Sequence, residues 1–548
     1  MPDTTFDTRE EVDFVIIGSG AAGGILAKEL STAGFKTVVL EQGKYRKTPE
    51  FTHDEIKYLL NGEMFGPGPR VSGMTYRQNE SDEPQSGGQI DPAMYAKTVG
   101  GSSVVFSAHL WRMRPVDFNE RSVLGGIEGT NFADWPITYD DLEPYYSKVE
   151  WDMGVSGAPG HSDPPRSRPF PMPPLPINSS GAIMEKGAAA LGLHADVQAH
   201  AILSQVHNGR APCMHCGFCA FYGCEVGAKS SSLAAMIPLA EASGNCEIRP
   251  ESAVFRIVKG DDGRVTEVLY YDKDGNEQGQ KAKAVVLSAN GAESPRLLLA
   301  SANLANSSGY VGRNLMFNTH GGVNATFEHP LNEYKGVQAT RVVMDYYDAD
   351  PQRGFYGGGG IDARGGLFMT PLAYTAFGGG PPMEKNWGAE YKEMIARSFP
   401  RQMGMFVSAT SLPMDRNNIT LHPSNTDQWG RPSIVVTYND HPDDLANGQF
   451  LQDKAQEILD AAGAEKTWSQ PVAPANFSVH LLGTARMGDD PATSVINSDH
   501  RSHDVPNLFI CDGSSLVSST RGQPTMTIMA LAFRAADRIK AVAAAGDV

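Results

Sequence analysis

Apolar and polar positions follow three patterns along this chain, and each predicts its own kind of element. Short unbroken apolar runs at residues 14–17, 37–40 and 285–289, the last with one serine, read as strands buried on both faces. A fourth run, Asn507-Leu508-Phe509-Ile510-Cys511, ends on Asp512-Gly513. Helical spacing appears over residues 25–33, 182–191, 230–242 and 449–462, where Leu451, Ala455, Ile458 and Leu459 form one apolar face. A helix is also predicted to run through residues 142–149, with Thr138 as its cap and Asp141 as the reciprocal acid three residues on. Strict alternation over residues 253–259 and 266–272, broken by a turn at 260–263, predicts a pair of half-buried strands.

Between these elements the pattern loosens. Residues 44–89 are polar, rich in Gly and Pro and nearly aperiodic, and read as a long excursion over the first domain. Residues 160–179 are dense in proline and read as a linker or irregular wall. Beyond residue 317 the strands are short, with glycine turns at 357–360 and 378–380, which suits an antiparallel sheet with a helix or two. The fold class that follows is α/β: a Rossmann-like domain with a second, mainly antiparallel-sheet α+β domain. The expected division is 10–155 (with the excursion 44–97), 206–316 and 477–545 in the first domain, and 156–205 and 317–476 in the second.

Composition adds limits. A chain of 548 residues is too long for one compact core. The net charge of −17 argues against a nucleic-acid surface. No apolar run is long enough to span a bilayer. The first twelve residues are polar and acidic, with no export pattern, so the expected location is the cytoplasm, or the periplasm by co-export with a signal-bearing partner.

The candidate chemistry begins where the first strand ends. Gly18-Ser19-Gly20-Ala21-Ala22-Gly23 separates that strand from a helix, and the second strand ends on Glu41. Gly18 permits the tight turn, Gly20 lets the backbone approach a pyrophosphate, and Gly23 lets the helix sit on the strand, with Ala22 between them. Glu41 can accept from ribose hydroxyls. The unit reads as a dinucleotide site.

Further along come Thr98-Val99-Gly100-Gly101-Ser102-Ser103, then Trp111-Arg112-Met113-Arg114-Pro115-Val116-Asp117-Phe118, read as the start of a helix. Trp135-Pro136-Ile137-Thr138-Tyr139-Asp140-Asp141-Leu142 follows. With the glycine turn, these motifs resemble the glucose–methanol–choline (GMC) flavoprotein oxidoreductases. The resemblance implies that the dinucleotide is FAD and that Gly100, Gly101, Ser102 and Ser103 contact the flavin. It is similar to the family again at Gly291-Ala292-Glu293-Ser294-Pro295-Arg296-Leu297-Leu298, with a helix expected from Arg296. Asn290 stands there in place of the family's first glycine. Val254 lies where the family meets the adenine side. Asp512 and Gly513 carry over as contacts to the pyrophosphate and ribityl region.

Ser478-Val479-His480-Leu481-Leu482-Gly483-Thr484-Ala485-Arg486-Met487-Gly488 resembles the family's catalytic segment, which implies that His480 takes the substrate's hydroxyl proton. Gln523-Pro524-Thr525 opens a helix whose N-terminus would face the flavin. Gln523 replaces the usual Asn or His and can exchange hydrogen bonds but not take up a proton. In some relatives a histidine near the glycine loop carries the flavin covalently, and His109 is nearby.

Six cysteines are present, four of them at Cys213, Cys216, Cys219 and Cys224. That ladder suits an iron–sulfur cluster or zinc, or no metal at all. The bacterial sugar dehydrogenases of this family imply a 3Fe–4S rather than a 4Fe–4S cluster. The expectation is a dehydrogenase acting on a sugar or glycoside, with electrons leaving through the cluster to a partner, a small subunit and a cytochrome-type acceptor. The alternative is an oxidase that makes peroxide. Cys246 and Cys511 read as core.

Overall fold

The computed structural model describes residues 4–65, 72–86, 90–365 and 368–548. Parts of the excursion, residues 66–71 and 87–89, lie outside the described residues. Among the described residues no helix is long and apolar enough to cross a membrane.

Three sheets organise the chain. The first is built on the apolar runs. Val12–Ile17 pairs in parallel with Thr37–Leu40 on one side and with the second half of Glu277–Leu287 on the other. Cys246–Arg249 and Leu508–Ile510 extend the two edges in parallel. Phe14, Val15 and Ile16 are fully buried, each contributing about 1.5–3 kcal/mol relative to exposure. The first half of Glu277–Leu287 leaves this layer and pairs antiparallel with Val265–Tyr271, which pairs with Ala253–Lys259. Helix Gly23–Thr32 packs against Thr525–Ala544, which in turn packs on Tyr139–Met153. Thr138 and Asp141 form the reciprocal cap expected of them: the Thr138 N–H donates to Asp141 Oδ2 at 2.8 Å, and Thr138 Oγ1 accepts from the Asp141 N–H at 3.2 Å.

The second sheet is antiparallel throughout, in the order Lys466–Ser469, His320–Thr326, Gln402–Ala409, Gly359–Arg364, Ala339–Val343, Ala195–Val197. Its back face, including Val323, Ile361, Met405 and Val407, packs on helices Pro442–Ala462 and Ser179–Ala190. All four predicted apolar positions of the long helix are buried. The third sheet joins Asn418–Thr426 and Pro432–Thr437 to Thr75–Arg77 and Gln85–Ser86. The excursion therefore supplies strands as well as loop. They are too short for a period to show, and they exist because Pro432–Thr437 offers them an edge.

Some elements differ from expectation. The helix expected after Trp111 is a 3-10 turn, Pro115–Phe118, followed by Glu120–Leu124. The Arg114 N–H is capped by Asp117 at 2.6 Å, but the chain leaves helical geometry at Asn119. The segment 230–242 splits into Ser232–Ala235 and Ile237–Ala242, because Pro238 has no N–H to continue a helix.

The helix expected from Arg296 starts earlier and spans Asn290–Ala300, with Pro295 inside it. Proline removes the bond that would reach the Gly291 carbonyl four residues back. That carbonyl accepts instead from the buried Thr484 hydroxyl, at 2.7 Å. The proline of one motif and the threonine of another are thus one device. Replacing Thr484 with Val strands the carbonyl and should lower stability by about 1–3 kcal/mol, read by denaturant unfolding of the holoprotein. An unchanged midpoint would show the carbonyl to be solvated instead.

Asn290 has φ +80°, the left-handed region that glycine adopts freely and asparagine tolerates. Its side chain accepts from the Ala292 and Glu293 N–H groups at 2.9 and 3.2 Å. Asparagine thus serves where the family has glycine, and it adds a cap. Asn290→Ala should cost about 1–2 kcal/mol and Asn290→Gly less, measured in the same unfolding assay.

Candidate functional site

The first and second sheets enclose a continuous cavity of about 1060 Å³. At one end it is lined by the glycine turn. Gly18 has φ +94°, and a Cβ there would meet the Ser288 carbonyl at 2.5 Å; a Cβ on Gly23 would lie 2.0 Å from the Gly18 carbonyl. These two hold helix to strand. Gly20, Ala22 and Glu41 line the cavity itself, while Gly23 does not.

Glu41 is buried, and burial raises its pKa. Its Oε2 accepts from the Ser19 N–H at 3.1 Å and the Ser19 hydroxyl at 2.8 Å, and Oε1 accepts from the Gly43 N–H at 2.8 Å. The Ser19 hydroxyl also accepts from the Gly100 N–H at 2.9 Å. The glycine turn, the acid and the second glycine loop are therefore tied into one frame. Gly101, Ser102 and Ser103 line the cavity; Gly100, at φ +94°, lies behind them. The Ser103 hydroxyl donates to the Gly100 carbonyl at 2.6 Å, which fixes the loop.

Val254, Asp512, Gly513, Pro524 and Thr525 also line the cavity. The Asp512 carboxylate accepts from the Asn290 N–H at 2.9 Å, the Ser294 hydroxyl at 2.5 Å, and the Ser514 N–H and hydroxyl at 2.7 and 2.5 Å. Its first task is to bind strand Leu508–Ile510 to the helix at Asn290. Helix Thr525–Ala544 opens onto the cavity at Pro524 and Thr525, so its partial positive charge favours negative charge there. The volume of the cavity, the tight glycine turn and the acid beside it all fit a dinucleotide with a flat ring system.

At the other end stands His480. Its Nδ1 lies 3.1 Å from Asn318 Oδ1. Asn318 Nδ2 donates to the Ala409 and Thr520 carbonyls at 2.9 and 2.7 Å, so the amide can face the imidazole only with its oxygen. Nδ1 must then carry the hydrogen, which leaves the Nε2 lone pair without a hydrogen-bond partner among the described residues. Burial, His320 and Arg364 hold the His480 pKa well below 6.5. A neutral imidazole with a free Nε2 is the form a general base needs.

Gln523 shares the cavity wall, and its Nε2 reaches the Ser408 hydroxyl at 3.4 Å. The partner of His480 is Asn318 and not Gln523. The sequence pointed to neither Asn318 nor the other groups at this end, His320, Phe406 and Arg364, although Asn318-Thr319-His320 sits where the pattern changes after residue 317. His109 lines the cavity with 2% of its surface exposed; neither ring nitrogen has a hydrogen-bond partner among the described residues, and its Nδ1 lies 4.0 Å from Asp362.

The cysteine ladder lies against the same cavity. Ala220 and Phe221 line it, and the Phe221 N–H donates to the Val105 carbonyl at 2.7 Å, docking the loop on the segment that follows Gly101. The buried Lys229 ammonium donates to the carbonyls of Cys219, Tyr222 and Phe106, stapling the two loops together. Cys219 is buried, Cys213 and Cys224 are half-buried and Cys216 is exposed. Among the described residues no three His, Cys, Asp or Glu side chains are arranged to hold a metal ion. The expected ladder is one loop beside the cavity, with its thiols at different depths but all within electrostatic reach of Cys219. Cys246 and Cys511 are core, as expected.

Two family models, both described as GMC oxidoreductase, match residues 12–320 and 413–532. The chain is 33% identical to the 2-methyl-1,2-propanediol dehydrogenase of Mycolicibacterium austroafricanum, over 97% of this chain and 96% of that one. It is 28% identical to the gluconate 2-dehydrogenase flavoprotein of Pantoea cypripedii, over 98% and 95%. Its fold matches the crystal structure of pyridoxine 4-oxidase from Mesorbium loti with a TM-score of 0.66 at 18% identity, covering 97% and 99% of the two chains.

Proposed function

We propose, from the fact that this chain belongs to the GMC oxidoreductase family, that it is a dehydrogenase oxidising one hydroxyl of a sugar-type substrate with His480 as base. Membership makes it an FAD enzyme acting on CH–OH donors. When bound, FAD supplies the acceptor for the hydride that leaves the carbinol carbon. The observation that carries the proposal is the His480 tautomer: Asn318 holds Nδ1–H and leaves Nε2 free to take the hydroxyl proton. Gln523, on the same wall, can orient the hydroxyl by a hydrogen bond. The N-terminus of Thr525–Ala544 favours the negative charge that develops on hydride transfer. For cofactor contacts we propose the cavity-lining Gly18, Gly20, Ala22, Glu41, Gly101, Ser102, Ser103, Val254, Asp512, Gly513, Pro524 and Thr525, with Gly23 and Gly100 shaping the backbone behind them.

The base is already proton-free at neutral pH. Protonation in acid removes it, so the acid limb of kcat/KM should fall well below pH 6.5, with a flat profile through neutrality. A limb centred at 6.5 or above would give the base role to another group.

Electrons then leave to an external acceptor. Support for a protein partner comes from the cysteine loop, which pairs cavity-lining Ala220 and Phe221 with exposed Cys216 and Met214. A small subunit and a cytochrome-type carrier suit that surface. Among the described residues no three of these side chains are arranged to hold a metal ion. Iron and acid-labile sulfide in a ratio of about three to four in anaerobically purified protein would support the 3Fe–4S reading of Cys213, Cys216, Cys219 and Cys224. The deciding experiment reduces the holoenzyme anaerobically with substrate and mixes it with oxygen or with a dye. Faster reoxidation by the dye is expected; faster reoxidation by oxygen would make the protein an oxidase.

A further inference from the structure

The floor of the substrate end carries a cation that alcohol oxidation leaves without a task. On the cavity face of the second sheet, Gly322 and Asn324 lie opposite Phe406 and Gly404, which lie opposite Asp362 and Arg364. Arg364 leans back along its strand so that its guanidinium sits 3.9 Å from the centre of the Phe406 ring. The Phe406 ring is 5.1 Å from His320, and His320 is 5.1 Å from His480. Phe406 and the His320 row are two residues apart along the strands, a step of about 7 Å. The Phe406 ring thus stands between the guanidinium and the histidine pair, and the Arg364 charge reaches both imidazoles.

Its orientation is fixed on two sides. Phe406 holds one face, and Asp362 holds one edge through Nε–Oδ1 at 2.7 Å and Nη2–Oδ2 at 3.3 Å. Asp362 is fully buried and does not line the cavity, whereas Arg364 does. The cavity thus meets the cation and not its counter-ion. Nη1 has no hydrogen-bond partner among the described residues, so the free end of the guanidinium presents parallel N–H donors to whatever enters. The carboxylate at this end, Glu333, is occupied by the Ser180 N–H at 2.7 Å and Asn178 Nδ2 at 3.2 Å.

We propose that Arg364 anchors a carboxylate of the substrate, so that the enzyme takes a sugar acid whose carboxylate lies several carbons from the oxidised carbinol. The inference rests on the reading of His480 as the base that faces that carbinol. It makes Arg364 a specificity residue: it binds the end of the substrate that does not react, which bears chiefly on KM.

The test compares gluconate with glucitol, and galactonate with galactitol, on the holoenzyme, by anaerobic bleaching of FAD and by turnover with a dye. The acid should be favoured in kcat/KM by on the order of 10- to 100-fold, as a charge-assisted fork contributes. In R364Q the ratio should fall towards one, mainly through KM, and R364K should keep part of it. Glutarate should inhibit the wild-type enzyme competitively and glutaramide should not, a measurement that needs no variant to fold. Equal use of acid and alditol by the wild-type enzyme, or no difference between glutarate and glutaramide, overturns the anchor while leaving the alcohol chemistry intact. Failure of every polyol and acid to bleach FAD overturns both.

Discussion

Replacing His480 with alanine should lower kcat by roughly 10²–10⁴-fold, the range a positioned general base supplies, while FAD stays bound at the wild-type ratio. The separation of effects follows from where the ring stands. His480 meets the cavity at its substrate end, over the second sheet. The groups that shape the nucleotide end, Glu41 and the turn at Gly18, are joined to Ser19 and Gly100 and not to His480. Stopped-flow bleaching of the flavin by substrate reads the chemical step directly. A loss of less than tenfold would mean that the proton leaves by another route. Asn318→Ala supplies the companion measurement, because it removes the acceptor that sets the tautomer without touching the base. Its effect should be smaller than that of His480→Ala and should fall on kcat. A shift in KM alone would reduce Asn318 to a wall of the cavity.

Gly23→Val should abolish FAD binding and destabilise the first domain by about 3 kcal/mol or more. The reason is a distance: any Cβ at this position would lie 2.0 Å from the Gly18 carbonyl. The obstacle is backbone, so no side chain can rotate out of the way. Relief requires helix Gly23–Thr32 to lift from strand Val12–Ile17. That movement opens the turn that lines the cavity and draws Ser19 away from Glu41. The flavin-to-protein absorbance ratio of purified protein reads the first effect, and thermal unfolding reads the second. A variant that keeps full flavin content would show that the turn tolerates the displacement.

Legibility followed the range of the interactions. Residues 12–43 carried their own evidence, because a buried strand, a glycine turn, a helix and an acid are local choices, each forced by backbone sterics or by an apolar run. The cap at Thr138 and Asp141 and the apolar face of the long helix were readable for the same reason. The sequence was misleading where a proline's missing bond was replaced from far away: nothing near Pro295 indicates that Thr484 satisfies the Gly291 carbonyl. It was also misleading in the excursion, whose two short strands exist only because Pro432–Thr437 lies beside them.

The sequence by itself determined that this protein has a dinucleotide fold, its resemblance to one flavoprotein family, and which histidine to examine. Only the tertiary structure decided which nitrogen of that histidine is free, because Asn318 answers to carbonyls on two distant segments. The tertiary structure alone also separated the cysteines in depth and set Arg364 over Phe406 at the cavity floor. The physical reason is common to all three. A side chain's type is written in the chain, but its protonation, depth and direction are set by neighbours that sheet pairing brings from tens to hundreds of residues away.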